Sequence, residues 1–158
     1  MNPIIKDDIL KIITRFKYWD RFRNKTILIS GANGFLPAYM VEAFLALDNL
    51  YNINLIALVR NKHKAEKRFS HLLNNPKLKI IEHDVCFEFN TSEKIDFIIH
   101  AASQASPKYY KTDPVGTLNA NILGTINLIN LARNNNVESF LYFSSGEVYG
   151  EVQADIFQ

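Results

Sequence analysis

The segment that most constrains this chain is Thr26 to Ser30 (TILIS), which stops at Gly31-Ala32-Asn33-Gly34 and continues into the apolar stretch Phe35 to Leu47. A short β-branched run of this kind suits a strand buried on both faces. The stretch beyond the glycines has the length and spacing of a helix. Strand, glycine turn and helix follow one another with no spare residues, so the turn must be tight, and glycine permits that. Such a junction leaves free N–H groups and the positive end of a helix facing whatever lies above the strand.

The alternation continues down the chain. Ile53 to Val59 (INLIALV) reads as a second buried strand and Lys62 to Leu73 as a polar amphipathic helix. Leu78 to Ile81 and Ile95 to Ile99 read as the third and fourth strands. Asp113-Pro114 is a strong helix start, with Asp as cap and Pro in the first turn. That helix is expected to run to about Arg133, with Val115, Leu118, Ile122, Ile126 and Ile129 on one face. Val137 to Phe143 reads as the fifth strand. Buried strands alternating with helices predict an α/β fold, a doubly wound parallel sheet with helices on both faces. Right-handed crossovers and a switch point after the first strand predict the strand order 3-2-1-4-5. Upstream, Ile5, Ile9, Ile12, Ile13 and Phe16 form one stripe of an extra N-terminal helix. The expected organisation is therefore a helix and linker over 1–25 and one sheet domain over 26–158, with no further boundary before Gln158.

Composition narrows the partners. With 47% hydrophobic residues the chain can bury a core, and disorder is excluded. A formal charge of +2 gives no electrostatic case for nucleic acid or a membrane surface. No address label or membrane span is read, so the expectation is a cytoplasmic protein. Cys86 has no partner for an internal disulfide and is read as a small buried hydrophobe. His63, His71, His83 and His100 lack zinc spacing, and no metal site is expected. The Asn134-Asn135-Asn136 run is read as composition bias.

In doubly wound sheets ligands bind outside the carboxyl ends of the strands. Three motifs stand there in order. Gly31-Ala32-Asn33-Gly34-Phe35-Leu36 resembles the GxxGxxG loop of the extended short-chain dehydrogenase/reductase family. His100-Ala101-Ala102-Ser103-Gln104-Ala105-Ser106-Pro107, with Tyr110, Asp113-Pro114, Asn121 and Gly124-Thr125, is similar to UDP-glucuronate decarboxylases and their nucleotide-sugar relatives. Ser144-Ser145-Gly146-Glu147-Val148-Tyr149-Gly150 resembles a segment of the same decarboxylases and of dTDP-glucose 4,6-dehydratases. The resemblance covers roughly Thr26 to Gly150. It implies a Rossmann-type domain that binds NAD, with Gly31, Asn33, Gly34, Phe35 and Leu36 at the pyrophosphate. It implies Asp84 and Val85 at the adenine, Ala101, Ala102 and Ser103 on the ribose side, and Ser144 near the nicotinamide.

Two departures from the family pattern bear on the cofactor. Pro37 stands where the third glycine is expected, and in the first helical turn it costs no intrahelical hydrogen bond. Its ring is bulkier than glycine and could alter cofactor approach. Arg60-Asn61 stands at the end of the second strand, where an acidic residue usually holds the ribose of NAD. Arginine there could pair with a 2′-phosphate, so NADP stays open beside NAD.

The resemblance also implies chemistry on a nucleotide sugar: transient oxidation at C4, then decarboxylation, epimerisation or dehydration. It makes Ser145 the hydroxyl at the reacting oxygen and Glu147 the carboxylate that handles a proton near C5 or C6. Gly146 replaces the aspartate of the dehydratases, which favours a decarboxylase or epimerase. None of the 7 tyrosines is followed four residues later by the lysine that the family requires. The expectation is an N-terminal, cofactor-binding portion with little or no turnover alone. A non-catalytic NAD(P)-binding sensor is the alternative. The resemblance also implies pairing as a homodimer, through helices that include the Asp113 to Arg133 segment.

Overall fold

The computed structural model describes residues 2–104 and 111–150. Five parallel strands form one sheet: β1 (Thr26–Ser30), β2 (Asn54–Val59), β3 (Leu78–Glu82), β4 (Phe97–His100) and β5 (Ser139–Tyr142). Their order is β3-β2-β1-β4-β5, as the crossover rule requires. The helices are α1 (Pro3–Arg15), α2 (Phe35–Ala46), a short α3 (Asp48–Tyr51), α4 (Lys62–Arg68) and α5 (Pro114–Asn135), with one-turn 3₁₀ segments at Trp19–Phe22 and Gly146–Tyr149.

β1 lies at the centre, paired to β2 and β4, and Ile27, Leu28, Ile29 and Ser30 are all fully buried. Side chains alternate between the two faces of the sheet. On one face Ile27, Ile29, Leu55, Ala57 and Val59 meet α1, α2 and α4. On the other face Leu28, Ile56, Leu58 and Ile98 meet Leu128, Leu131 and Ala132 of α5. The N-terminal helix docks on α2, and Trp19 seals that corner with its indole N–H donated to the Ile13 carbonyl at 3.0 Å. Phe16 and Phe44 meet the indole edge-on at 4.8 and 5.8 Å.

The structure corrects several boundaries. α4 stops at Arg68 instead of Leu73, because Phe69 leaves helical dihedrals and is fully buried in the core. β4 starts at Phe97, two residues later than expected. Just before it, the Asp96 carboxylate accepts the Thr26 N–H at 2.9 Å. β5 is likewise shorter than expected, from Ser139 to Tyr142. The asparagine run has a structural use. Asn136 ends α5 at φ 51°, a left-handed position that asparagine tolerates, and Asn135 donates its amide to the Leu131 carbonyl at 3.0 Å.

The apolar stripe of α5 points away from the sheet. Val115, Leu118, Ile122, Ile126 and Ile129 are 48–64% exposed. The face against the sheet consists of Ala120, Gly124, Leu128, Leu131 and Ala132. Small residues there let the helix lie close. A Cβ built on Gly124 would come within 2.8 Å of Val85 Cγ2 and 3.5 Å of His100 Cε1. A second apolar surface lies over β4 and β5 beside α2. It is a trough of about 720 Å³ lined by Leu36, Met40, Phe44, Phe97, Leu141 and Phe143, among others.

Gly124→Val is expected to lower stability by roughly 2–3 kcal/mol, since Val85 or the helix must move. Urea denaturation at constant m-value measures this, and an unchanged midpoint would contradict the close packing.

Candidate functional site

The carboxyl ends of β1 to β4 converge on a cleft of about 200 Å³. Its floor is the first turn, Gly31, Asn33 and Gly34. Arg60 rises from the end of β2, with Asp84 and Val85 from the segment after β3. Ala101, Ala102 and Ser103 follow β4 and form the opposite wall. Nine of the residues singled out from the sequence thus share one cavity.

Gly31 is required for two reasons. Its φ of +65° disfavours any side chain, and a Cβ would lie 2.8 Å from Ala102 Cα and 2.9 Å from the Ala101 oxygen. Gly34 is the N-cap of α2 and offers no side-chain cap. Pro37 has no N–H, so the N–H groups of Phe35 and Leu36 are the ones that the helix itself leaves unpaired. The Phe35 and Leu36 side chains are exposed, and Leu36 lines the apolar trough, so any role at the site falls to their backbone. Pro37 is buried in the first turn of α2 and is not among the residues that line the cleft.

Asp84 sits at the far end. Burial works against its ionisation, but the Cys86 N–H at 2.9 Å, the Cys86 thiol and the charges of Arg60 and His83 outweigh that and hold the carboxyl below its usual range. Asp84 is therefore both a turn residue and an anion facing the cleft. Cys86 corrects the sequence reading: it is only half-buried, and burial and Asp84 push its thiol up to about 11. The thiol stays protonated and unreactive at neutral pH.

Other residues stand apart. The Asn61 side chain is committed to capping α4, accepting the Lys64 N–H at 2.9 Å. Ser144 and Ser145 follow β5, exposed and outside the cleft lining. Glu147 falls in the last 3₁₀ turn, and its side chain lies outside the described residues, as do Ala105 to Tyr110. The sequence reading left out Leu58, His83, Gln104 and Ala120, which also line the cleft. His83 and Gln104 lie just past strand ends, where position alone could have flagged them. The Gln104 amide donates to Asp113 at 2.9 Å and so ties the cleft rim to the cap of α5.

The arrangement suits a dinucleotide. A glycine turn with no room for a side chain lies beneath an uncapped helix end, and an anionic hydrogen-bond acceptor, Asp84, stands in the same cleft. Gly31, Asn33 and Gly34 would hold the diphosphate. Among the described residues no cluster of His, Cys, Asp or Glu could hold a metal ion, and no helix is long and apolar enough to cross a membrane.

Residues 27–158 match the NAD dependent epimerase/dehydratase family. The chain belongs to that family. Among curated members of the family, UDP-glucuronic acid decarboxylase 4 of Arabidopsis thaliana is 32% identical over 125 residues, which is 79% of this chain and 27% of that protein. UDP-glucuronic acid decarboxylase 1 of Danio rerio is 32% identical over 136 residues, 85% of this chain and 31% of that protein. The chain thus spans about a third or less of these relatives and is homologous to their N-terminal part. Among solved structures, a UDP-Glc/GlcNAc 4-epimerase from Campylobacter jejuni aligns with TM-score 0.64 at 26% identity, covering 82% of this chain and 40% of that one. A dTDP-glucose 4,6-dehydratase from Streptomyces venezuelae, solved with NAD and DAU bound, shares the fold with TM-score 0.67 at 19% identity, covering 81% of this chain and 42% of that one. The Rossmann-like domain is therefore shown by fold and by family together.

Gly31→Ala is expected to cost roughly 2 kcal/mol or more, the sum of left-handed strain and the clash with Ala102. Chemical denaturation checks it, and a loss below about 0.5 kcal/mol, the scatter of ordinary surface substitutions, would show the turn to be looser than described.

Proposed function

We propose that this chain is the cofactor-binding portion of a nucleotide-sugar-modifying enzyme, of the decarboxylase or epimerase type, and that its cofactor is NAD. The observation that carries this reading is the convergence of Gly31, Gly34, Asp84 and Ala101 to Ser103 on one cleft at the strand ends. The decarboxylase relatives support the substrate class. When bound, NAD would take hydride from the sugar and return it. The chain's own residues would bind and orient: the first turn would hold the diphosphate, Asp84 would accept from the adenine amino group, and Val85 would supply backbone contacts. Ser145 would hydrogen-bond the reacting C4 oxygen, Glu147 would move a proton near C5 or C6, and Ser144 would stand by the nicotinamide. With no Tyr-x-x-x-Lys in the sequence, the chain alone is proposed to turn over little or no substrate. The open trough beside β5, with Leu141 47% exposed, supports the reading that further structure packs there in the working enzyme.

Arg60 bears on cofactor choice. It is exposed at the end of β2, and its charge reaches Asp84 across the cleft. Titration calorimetry with NAD and NADP is expected to show NAD binding, weakened about tenfold or more by Asp84→Ala, the loss of one hydrogen bond to a charged group. Tighter binding of NADP, abolished by Arg60→Ala, would reverse the cofactor assignment. No heat with either would overturn the site.

The outward stripe of α5 supports a homodimer, since five large apolar side chains on one helix face exceed what a monomer ordinarily leaves in water. Light scattering is expected to give twice the chain mass, and Ile122→Lys with Ile126→Lys to give the monomer. A monomeric wild type would contradict the assembly.

A further inference from the structure

Between Thr26 and Ser30 β1 is apolar, and β4 is apolar up to His100, so both strands end on a polar residue. Ser30 and His100 are register partners, 0% and 1% exposed. Burial of such groups is costly unless they are hydrogen-bonded, so their partners can be enumerated. Ser30 Oγ lies 2.7 Å from His100 Nδ1, 3.2 Å from the Ala101 nitrogen and 3.3 Å from the Ala102 nitrogen. Both backbone N–H groups donate into Oγ. The hydroxyl has a single hydrogen, so it donates to Nδ1. With the hydroxyl donating, Nδ1 is bare and the imidazole proton sits on Nε2.

Among the described residues Nε2 is buried with no hydrogen-bond partner, and the Ala120 backbone favours the protonated ring. Burial pulls the His100 pKa below its ordinary 6.5, so the ring is neutral at pH 7. Phe140 and Tyr142 flank it with centroids at 6.4 and 5.5 Å, and Gly124 leaves it room.

We propose that Ser30 and His100 form a clasp that positions the Ala101–Ala102 wall against Gly31 and so sets the width of the dinucleotide cleft. They are positioning residues, and the proposal rests on the dinucleotide reading of that cleft. The wall has little tolerance. Ala102 Cα would be 2.8 Å from a Cβ on Gly31, less than any real contact of that kind, so a small displacement of the segment changes the floor of the site. The Ser30 carbonyl also accepts the Ala101 N–H, at 3.3 Å, so it is the Ala102 amide that the Ser30 side chain ties to the end of β1. His100 orients that side chain by accepting its one hydrogen. Without the imidazole acceptor the hydroxyl could rotate away from the two amides. Without the hydroxyl the Ala102 amide loses its buried acceptor, while the Ala101 amide keeps the Ser30 carbonyl.

The test uses the intact chain and compares Ser30→Thr with Ser30→Val, which have the same shape and differ in the hydroxyl. Long-range proton–nitrogen spectra of the wild type should show His100 as the Nε2–H tautomer. Hydrogen exchange should show the Ala102 amide protected in the wild type and in Ser30→Thr and open in Ser30→Val, with the Ala101 amide protected in all three by the Ser30 carbonyl. Calorimetry with NAD should then give near wild-type affinity for Ser30→Thr and about tenfold weaker binding for Ser30→Val, the effect of one buried hydrogen bond. An Nδ1–H tautomer in the wild type overturns the clasp, and so do Thr and Val variants with equal protection and equal affinity. If the tautomer and the protection are as stated but the wild type binds no NAD, the dinucleotide reading falls. The clasp then stands only as the organiser of the loop.

Discussion

The structure depends on how closely the end of β1 approaches the segment after β4. At Gly31 the chain turns in a left-handed conformation against the backbone of Ala101 and Ala102, with no space for a methyl group. Central placement of β1 makes this possible, because both of its neighbours run parallel and end at the same level. Right-handed crossovers then carry the chain to one face through α2 and α4 and to the other through α5. The strand order reverses at β1, and the cleft opens where it reverses. The position of the cleft follows from topology, and its chemistry from the few residues at strand ends.

Electrostatics at the cleft are arranged at short range. Asp84 stays ionised against the cost of burial through the Cys86 N–H and the field of Arg60 and His83. Arg60 also favours the ionised form of Asp113, the cap of α5, although Gln104 is the larger influence there. One guanidinium thus acts on carboxylates from two elements. A chain with net charge of only +2 can concentrate charge in this way without presenting a charged surface overall.

Much of this was legible before the structure, for identifiable reasons. Thr26 to Ser30 reads as a buried strand because β-branched residues fill both of its faces, and the structure places it at the same residues. Asp113 and Pro114 mark the start of α5 because each chemically suits its place there. Orientation was harder to read. The spacing of Val115, Leu118, Ile122, Ile126 and Ile129 identifies a face but not what the face meets, and the sheet takes the smaller residues instead. Phe69 ends α4 through a tertiary demand that no local pattern signals. The pairing of Ser30 with His100 joins residues 70 apart and is visible only once β1 and β4 are neighbours. At Cys86 a general preference for burial gave way to a specific contact with Asp84.

The corner built around Trp19 has a practical corollary. This is the chain's only tryptophan, and it lies between the N-terminal helix and α2, on the apolar trough and apart from the strand-end cleft. Its indole is held by the Ile13 carbonyl and two phenyl rings. Intrinsic fluorescence of this molecule therefore follows the docking of its first helix. A spectroscopist watching that single emitter would be observing the corner where the first helix docks and would learn little about events at the mouth of the cleft.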